Sequence, residues 1–522
     1  MSIFRSNSFF NSLGLVLGVF LSSSAWAQTL TNPKTEAVPF STQGSPADSN
    51  IDKSSSGKLS PQEVKSLSPS SNLLLRPNKP SEVEIKLSKS ITLKQAVKLG
   101  LQNNRDLQVT KLALERAQSQ LKAAQAALLP TLNFNTQVSF GQQAQNDIQN
   151  QESYYYNQQV LANNPNYLNF ASTLPYKYVP LTQTTAIGTL ELNYSLYDGG
   201  SRDANISKAE DQIKFNQLDI ERQTEQTIFD ITKAYYNLQN ADAQVLIAQA
   251  SVEDTTRTLR DAQLLMKAGL GTQFDVLSAE VDLSTAQQSL VQAFAGQKIA
   301  RRQLAQVIVV AQDAELTSAD EIAETGDWNM SLEESIAKAY TNRAELDQVL
   351  AQKEVYRQIA NAALASIRPQ IGLFGNYNFD KPFDQPIYGG QGYAFGAKLN
   401  WQIYDGGAAQ ATAEESYRDM DTADVNFAKE RETIRETVEQ DYFTLKANKE
   451  NIGNTRKNVE LATESLRLAR LRFQAGVGTQ TDVINSQRSL TTARSQFLQA
   501  IIGYNQSYNA LERDVSRIYA YK

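Results

Sequence analysis

The sequence predicts an α+β membrane protein made of two tandem repeats, each joining a β-hairpin to a very long helical hairpin. Three observations predict it. A set of short landmarks recurs in the same order along residues 90–515. Four short stretches alternate apolar and polar residues, and each half carries apolar residues spaced by seven over six heptads.

Before the repeats, Arg5 precedes an apolar run from Leu13 to Leu21, and Ala25-Trp26-Ala27 stands before Gln28. That order is the one of a secretory signal peptide over 1–27, with cleavage expected after Ala27. The run is roughly half of the ~20 apolar residues that a spanning helix needs. No later stretch is apolar and uncharged for long enough to cross a bilayer as a helix, and mean hydropathy is -0.42. Any membrane span must therefore be built from strands. Residues 28–88 are rich in Ser, Pro, Asn, Lys and Thr with few large apolar side chains, the composition of a flexible tether.

Composition also excludes chemistry. Cysteine and histidine are both absent, which removes disulfides, a lipid-acceptor thiol, His-based triads and His metal sites. No carboxylate pair, phosphate-binding glycine loop or nucleophile motif stands out, so neither an enzyme nor a cofactor is expected. A net charge of -6 and a pI near 5.2 argue against nucleic acid as a partner.

The first repeat, 89–310, opens with Ile91-Thr92-Leu93-Lys94-Gln95-Ala96, echoed by Met330-Ser331-Leu332-Glu333-Glu334-Ser335 at the head of the second, 330–515. An Ala-rich helix ends at Pro130 and again at Pro369. Both landmarks are offset by 239 residues. Tyr197-Asp198-Gly199-Gly200 returns as Tyr404-Asp405-Gly406-Gly407, and the stretch Ala268–Val276 returns as Ala475–Val483, both offset by 207. The first copy thus holds a 32-residue insertion between the proline and the Tyr-Asp-Gly-Gly.

That interval has strand periodicity. Leu132, Phe134, Val138 and Phe140 share one face, as do Leu190, Leu192, Tyr194 and Leu196. In the second copy Ile371, Leu373, Tyr377 and Phe379 are matched by Phe395, Leu399, Trp401 and Ile403. The residues between, from about 141 to 185 with Tyr154, Tyr155, Tyr156, Tyr167, Tyr176 and Tyr178, read as a long loop. Trp401, Tyr194, Tyr197 and Tyr404 suit either an interfacial aromatic girdle or core packing at the barrel end.

After each Tyr-Asp-Gly-Gly comes a heptad row: Ile231, Leu238, Val245, Val252, Leu259 and Met266, then Val438, Leu445, Ile452, Val459, Leu466 and Phe473. Residues 201–267 as one helix would be roughly 100 Å long. A returning helix has Val276, Leu283, Leu290 and Leu304 beside Ala279, Ala286, Ala293 and Ala300, and rows of Ala allow close helix approach. Four strands cannot close a barrel, because an open edge in lipid leaves backbone groups unpaired, so strands must be pooled between copies.

The tandem plan, the helix-ending prolines, the Tyr-Asp-Gly-Gly joint and the Ala-Gly-x-Gly-Thr-x-x-Asp-Val tip together resemble the TolC-like outer membrane efflux family over about 90–515. The resemblance implies a homotrimer with a 12-stranded barrel in outer-membrane lipid, four strands per chain, continued by an antiparallel α-helical coiled-coil barrel across the periplasm. It implies a mixed equatorial belt, with 311–329 as the linker there and 516–522 as a tail. It implies export of small molecules or type I secretion of polypeptides, with a periplasmic adaptor and an inner-membrane ABC or proton-driven pump.

The candidate entrance residues sit at the tips. Gly269, Gly271, Gly476 and Gly478 suit a helix C-cap and the turn after it, and Thr272 with Asp275, like Thr479 with Asp482, follows capping-box spacing. In a ring of copies the same Asp275 and Asp482 become circles of like charge that narrow an entrance and attract cations. By the resemblance Gln480 stands where some members carry a basic latch residue and Asn485 where a second acid occurs. Asp198, Gly199, Gly200, Asp405, Gly406 and Gly407 read as tight strand-to-helix joints. Two rival readings are a periplasmic coiled-coil adaptor without a pore and a glycan-processing enzyme using Asp and Glu. Outer-membrane fractionation separates the first from the channel reading, and an activity screen on envelope glycans tests the second.

Overall fold

The computed structural model describes residues 67, 69, 72–74, 76–85, 87–142, 144–163, 182–311, 314–384 and 389–516. The expected leader, most of the tether and the tail after Ser516 lie outside them, as do Tyr167, Tyr176 and Tyr178.

The first repeat runs β1 (Leu87–Ile91), α1 (Leu93–Asn103), α2 (Arg105–Ala126), β2 (Thr131–Gln142), α3 (Ala144–Asn163), β3 (Thr182–Tyr197), α4 (Ser201–Lys267) and α5 (Gln273–Ile308). The second runs β4 (Ala314–Ser318), α6 (Leu332–Asn342), α7 (Ala344–Ala365), β5 (Gln370–Pro382), β6 (Gly390–Asn400), α8 (Ala408–Gln474) and α9 (Gln480–Asp514). Both descending helices, α4 and α8, are 67 residues long. Each packs along the helix that returns from it, α4 with α5 and α8 with α9.

Four strands form one antiparallel sheet in the order β2-β3-β5-β6. The two hairpins share a register: Leu132 faces Leu192 in the first, and Ile371 faces Leu399, their repeat equivalents, in the second. The central pairing joins the repeats, with Leu190 opposite Tyr377 and Leu192 opposite Gly375. Apolar residues therefore oppose apolar residues on one face of the sheet. Leu132, Phe134, Val138, Phe140 and Phe395 on that face are 62–81% exposed. An apolar, uncovered strand face is what lipid requires.

The structure departs from the sequence expectations at four places. The Ala-rich helices are each broken, at Asn104 and Arg343, whose backbones leave the helical region. Asn104 Oδ1 then accepts from Leu107 N at 2.9 Å, capping α2. The expected tyrosine loop contains α3, a stretch without Gly or Pro. β6 stops at Asn400 although the alternation runs to Ile403, because β5 begins at Gln370 and offers no partner beyond it. Trp401 instead donates from Nε1 to the Ile367 carbonyl at 3.1 Å. Finally, the segment read as a tether to residue 88 is anchored before its end. Leu67 is fully buried, its carbonyl accepts from Ala311 N at 3.1 Å, and β1 starts at Leu87 to pair in parallel with β4.

The core lies where the repeats meet the β1–β4 pair. Ile231, Tyr235, Leu238, Leu304, Ile308 and Leu316 form one cluster, and Ile434, Val438, Leu445, Tyr504 and Leu511 form its counterpart. Three residues of the first heptad row are buried, Ile231, Leu238 and Val245, and four of the second, Val438, Leu445, Ile452 and Leu466. The Tyr235 hydroxyl donates to Asp320 Oδ2 at 2.7 Å and accepts from Asp320 N at 3.3 Å, pinning the chain after β4.

Beside the second cluster lies a buried polar group. Ser516 donates to Glu225 Oε2 at 2.9 Å, and Arg343 reaches Glu345 at 2.9 Å and Asp514 at 3.5 Å. Burial pushes Glu225 up to about 7, against the Ser516 hydrogen bond that pulls it down. Burial and the neighbouring Asp441 charge push Asp514 up to about 7 as well. Between the ordinary glutamate value of 4.5 and about 7, the folded chain holds a proton on Glu225 that the unfolded chain has released. The contribution of Glu225 to stability is therefore fully present below that window and is lost as pH rises through it. Glu225→Gln is expected to flatten the dependence of the thermal midpoint on pH between roughly 4.5 and 7, followed by circular dichroism of the purified protein.

Candidate functional site

The two helical tips are built alike from their sequences. Gly269 and Gly476 take the left-handed conformation, at φ 75 and 74, that ends a helix most easily with glycine. The following amides turn back onto the helix, Leu270 N to Leu265 O at 2.9 Å and Val477 N to Arg472 O at 3.0 Å. Gly478 allows close passage, since a Cβ there would meet Arg472 Cβ at 3.0 Å.

Both returning helices start with a reciprocal cap. Asp275 N donates to Thr272 Oγ1 at 3.2 Å while Thr272 N donates to Asp275 Oδ2 at 2.9 Å. In the second tip Asp482 N donates to Thr479 Oγ1, and Thr479 N to Asp482 Oδ2, both at 3.1 Å. Hydrogen bonds from the Thr479 backbone and side chain hold Asp482 below the usual carboxylate range, so it stays ionised. Each tip thus holds a carboxyl side chain against a helix N-terminus, where the dipole favours negative charge.

Gln480 is placed differently from its twin. It is 2% exposed, and neither amide atom finds a hydrogen-bond partner among the described residues, whereas Gln273 is exposed. Directional ties between the two hairpins come from other residues, which the sequence reading did not single out. Arg470 Nη2 reaches Asp254 Oδ1 at 2.9 Å, Arg488 reaches Asp282 Oδ1 at 3.0 Å, and Thr258 Oγ1 donates to Gln487 Oε1 at 3.2 Å. Asp282 is buried although its partner is exposed.

At the other end of α4 and α8, the joints share one geometry. Asp198 accepts from Gly200 N at 3.2 Å and Arg202 N at 2.8 Å, and Asp405 accepts from Gly407 N at 2.8 Å and Ala409 N at 2.7 Å. The amide of Ala409, then that of Gly407, holds the Asp405 carboxyl below its ordinary value. All four glycines, Gly199, Gly200, Gly406 and Gly407, have φ between 74 and 93. Gly199 also packs on the second repeat: a Cβ there would lie 2.5 Å from the Ala365 carbonyl, and Arg368 Nη1 donates to Gly199 O at 3.0 Å. Gly406 has nothing among the described residues within 4 Å of the same point.

The tips are local devices and should respond locally. Thr479→Ala removes an N-cap hydroxyl, a loss of about 1 kcal/mol. Amide exchange at Asp482 and its neighbours is expected to quicken about fivefold, with the amides of Val438 and Leu445 unchanged.

Residues 96–308 and 335–514 match the family described as outer membrane efflux protein. The outer membrane efflux protein BepC of Brucella suis biovar 1 is 24% identical over 328 residues, which cover 62% of this chain and 70% of BepC. The alkaline protease secretion protein AprF of Pseudomonas aeruginosa is 21% identical over 326 residues, 61% of this chain and 67% of AprF. Among solved structures, the outer membrane protein VceC of Vibrio cholerae superposes with a TM-score of 0.65 at 15% identity, covering 81% of this chain and 95% of that one.

Proposed function

Because the chain belongs to the outer membrane efflux protein family, we propose that three copies close into one ring that serves as the exit duct of an export system. Family membership gives outer-membrane location with the helices in the periplasm, and a channel protein as the coarse function. The ring, its partners and its entrance are the finer reading.

The observation that carries the ring is a mismatch between repeats. Surfaces buried in the second repeat lie bare in the first. Leu112 is 61% exposed where its equivalent Ala351 is 1% exposed, and Val291 is 69% exposed where Leu498 is 7% exposed. Leu277 and Phe294 are likewise bare, while Ile484 and Ile501 are buried. Within the chain the second repeat is covered by the first. A neighbouring copy that offered its second repeat to this first repeat would cover the bare faces by the same packing. Such a contact is head-to-tail, and it either closes or runs on as a filament.

The sheet supports closure. Among the described residues β2 and β6 are its two ends, and each leaves one row of backbone groups without a strand. Carrying the β3–β5 register across by the repeat offsets sets Val138 opposite Ala397, Phe140 opposite Phe395 and Gln137 opposite Lys398 of the next copy. Apolar residues again meet apolar ones. Three copies give 12 strands, the number that the family resemblance implies, and an even count closes an antiparallel barrel.

In that ring Asp275 and Asp482 stand three times each around the entrance, a negative constriction that concentrates cations. A periplasmic adaptor links the ring to an energised inner-membrane pump, and the cargo is a small molecule or a secreted polypeptide. Purified protein in a planar bilayer is expected to give cation-preferring conductance steps that a multivalent cation blocks from the tip side. Asp482→Ala should require roughly tenfold more cation for the same block. Steps without any block would remove the acidic entrance, and no steps at any voltage would remove the duct.

A further inference from the structure

Between the sheet and the β1–β4 pair, α4, α7 and α8 enclose a groove of about 450 Å³. Resting on the ring reading, we propose that this groove is a binding site on the inner wall of the duct, one in each chain, and that it takes an aromatic monocation.

The placement follows from which face of each helix lines the groove. α4 and α8 both pack on α7, so α7 is the floor and the other two are the sides. Val349, Gln352 and Tyr356 line it from α7, three and four residues apart and hence on one face. The opposite face of α7 carries Asp347, Leu350, Arg357 and Asn361, all exposed. From α4 the groove takes Phe215, Asp219 and Arg222. Arg222 stands nine residues before Ile231, about two and a half turns, and so points away from the side on which Ile231 packs with Ile91 and Leu316 of the strand pair. A belt of strands and short helices inside a ring would fill its passage. The belt therefore lies outside, and the groove on the other face of the wall opens inward.

The lining selects the occupant. Phe215, Tyr356 and Val349, each half-buried, offer apolar and aromatic surface to a ring-bearing body. Of the two carboxylates, Asp219 is already committed: its Oδ1 accepts from Arg222 Nε and from Gln348 Nε2, both at 3.1 Å. Asp419, reaching the groove from α8, is exposed and accepts from no described residue. One negative charge thus stands uncompensated beside aromatic rings, the setting in which a cation gains from both. An anion would meet that charge unscreened, and a neutral body would cover the carboxylate without pairing it. The repeat offsets show that the junction between chains is not equipped alike. There Gln212 stands for Asp419, Ala117 for Tyr356 and Lys429 for Arg222, and Ala117 is 1% exposed. A ring of three chains holds three such sites, each midway between the entrance and the barrel.

Calorimetric titration of the purified full-length protein, with protein-free micelles as the blank, compares tetraphenylphosphonium with tetraphenylborate, an ion of the same shape and opposite charge. One phosphonium is expected per chain, bound about fivefold more weakly by Asp419→Asn and by Tyr356→Ala. Asp347→Asn, on the opposite face of α7, should leave the affinity unchanged, and borate should not bind at the same concentration. Equal binding of the two ions, or equal affinity in the native chain and both groove variants, would overturn the site. Its inward placement is read by conductance, since the native chain has no cysteine. Tyr356→Cys coupled to a long polyethylene glycol maleimide is expected to pass about half the native single-channel current, and Leu350→Cys coupled in the same way to pass all of it. Full current from the coupled Tyr356→Cys protein would overturn the inward placement and leave the ring intact. No current steps from any variant or from the native chain would overturn the ring, and the calorimetry would still decide the site.

Discussion

Every polar group of a backbone in lipid must be paired within protein, and this chain brings a sheet with two unpaired ends. That constraint governs the rest. A single copy cannot satisfy it with β2-β3-β5-β6, whatever the quality of the strands. Pairing β6 with β2 of another copy satisfies both ends at once, and only a closed ring leaves no copy with an open edge. The tandem repeat makes this economical, because the contact between repeats already exists in the β3–β5 pairing and in α7 packed between α4 and α8.

Below the sheet the same repeat logic sets the helices, and there the two repeats have diverged. Gly199 lies against the Ala365 carbonyl, while its twin Gly406 faces open space among the described residues. The heptad rows bury Ile231 and Val438 completely where the β1–β4 pair and the short helices surround them. Farther toward the tips the satellite clusters are small, built on residues such as Val276, Ala279, Leu466 and Val483. Apolar burial thus fixes the middle of the helices, and ion pairs take over where burial thins. Regions of low burial open at the smallest free-energy cost, so the tips are the part of the helices that opens most easily.

What the sequence revealed, and what it hid, follows from the range of the interactions. Period-two alternation gave Leu132 to Phe140 and Ile371 to Phe379 as strands because side-chain direction is a local property of extended chain. Thr272 with Asp275 and Asp198 with Gly200 were legible for the same reason: their partners are two or three residues away. The breaks at Asn104 and Arg343 were not, since neither is a glycine or proline and Arg343 is held by Asp514 from far along the chain. The residues that tie the two hairpins together were invisible as well. Asp254 and Arg470 are 216 residues apart, and one sequence gives no sign that their heptads share a level. Leu67 was lost inside a polar segment whose average composition concealed one buried anchor.

The ring depends on β6 of one copy completing the sheet of the next at β2 in the register inherited from β3 and β5. The most direct measurement is disulfide formation between Val138→Cys and Ala397→Cys in a chain that has no other cysteine, read as chain ladders on a denaturing gel. Oxidised outer membranes should yield covalently linked trimers from this pair and only monomers when Ala397 is replaced by its register neighbour Leu399 with Val138→Cys retained. Monomers from the first pair, or linkage from the second in its place, would mean that the sheet closes in another register or not at all.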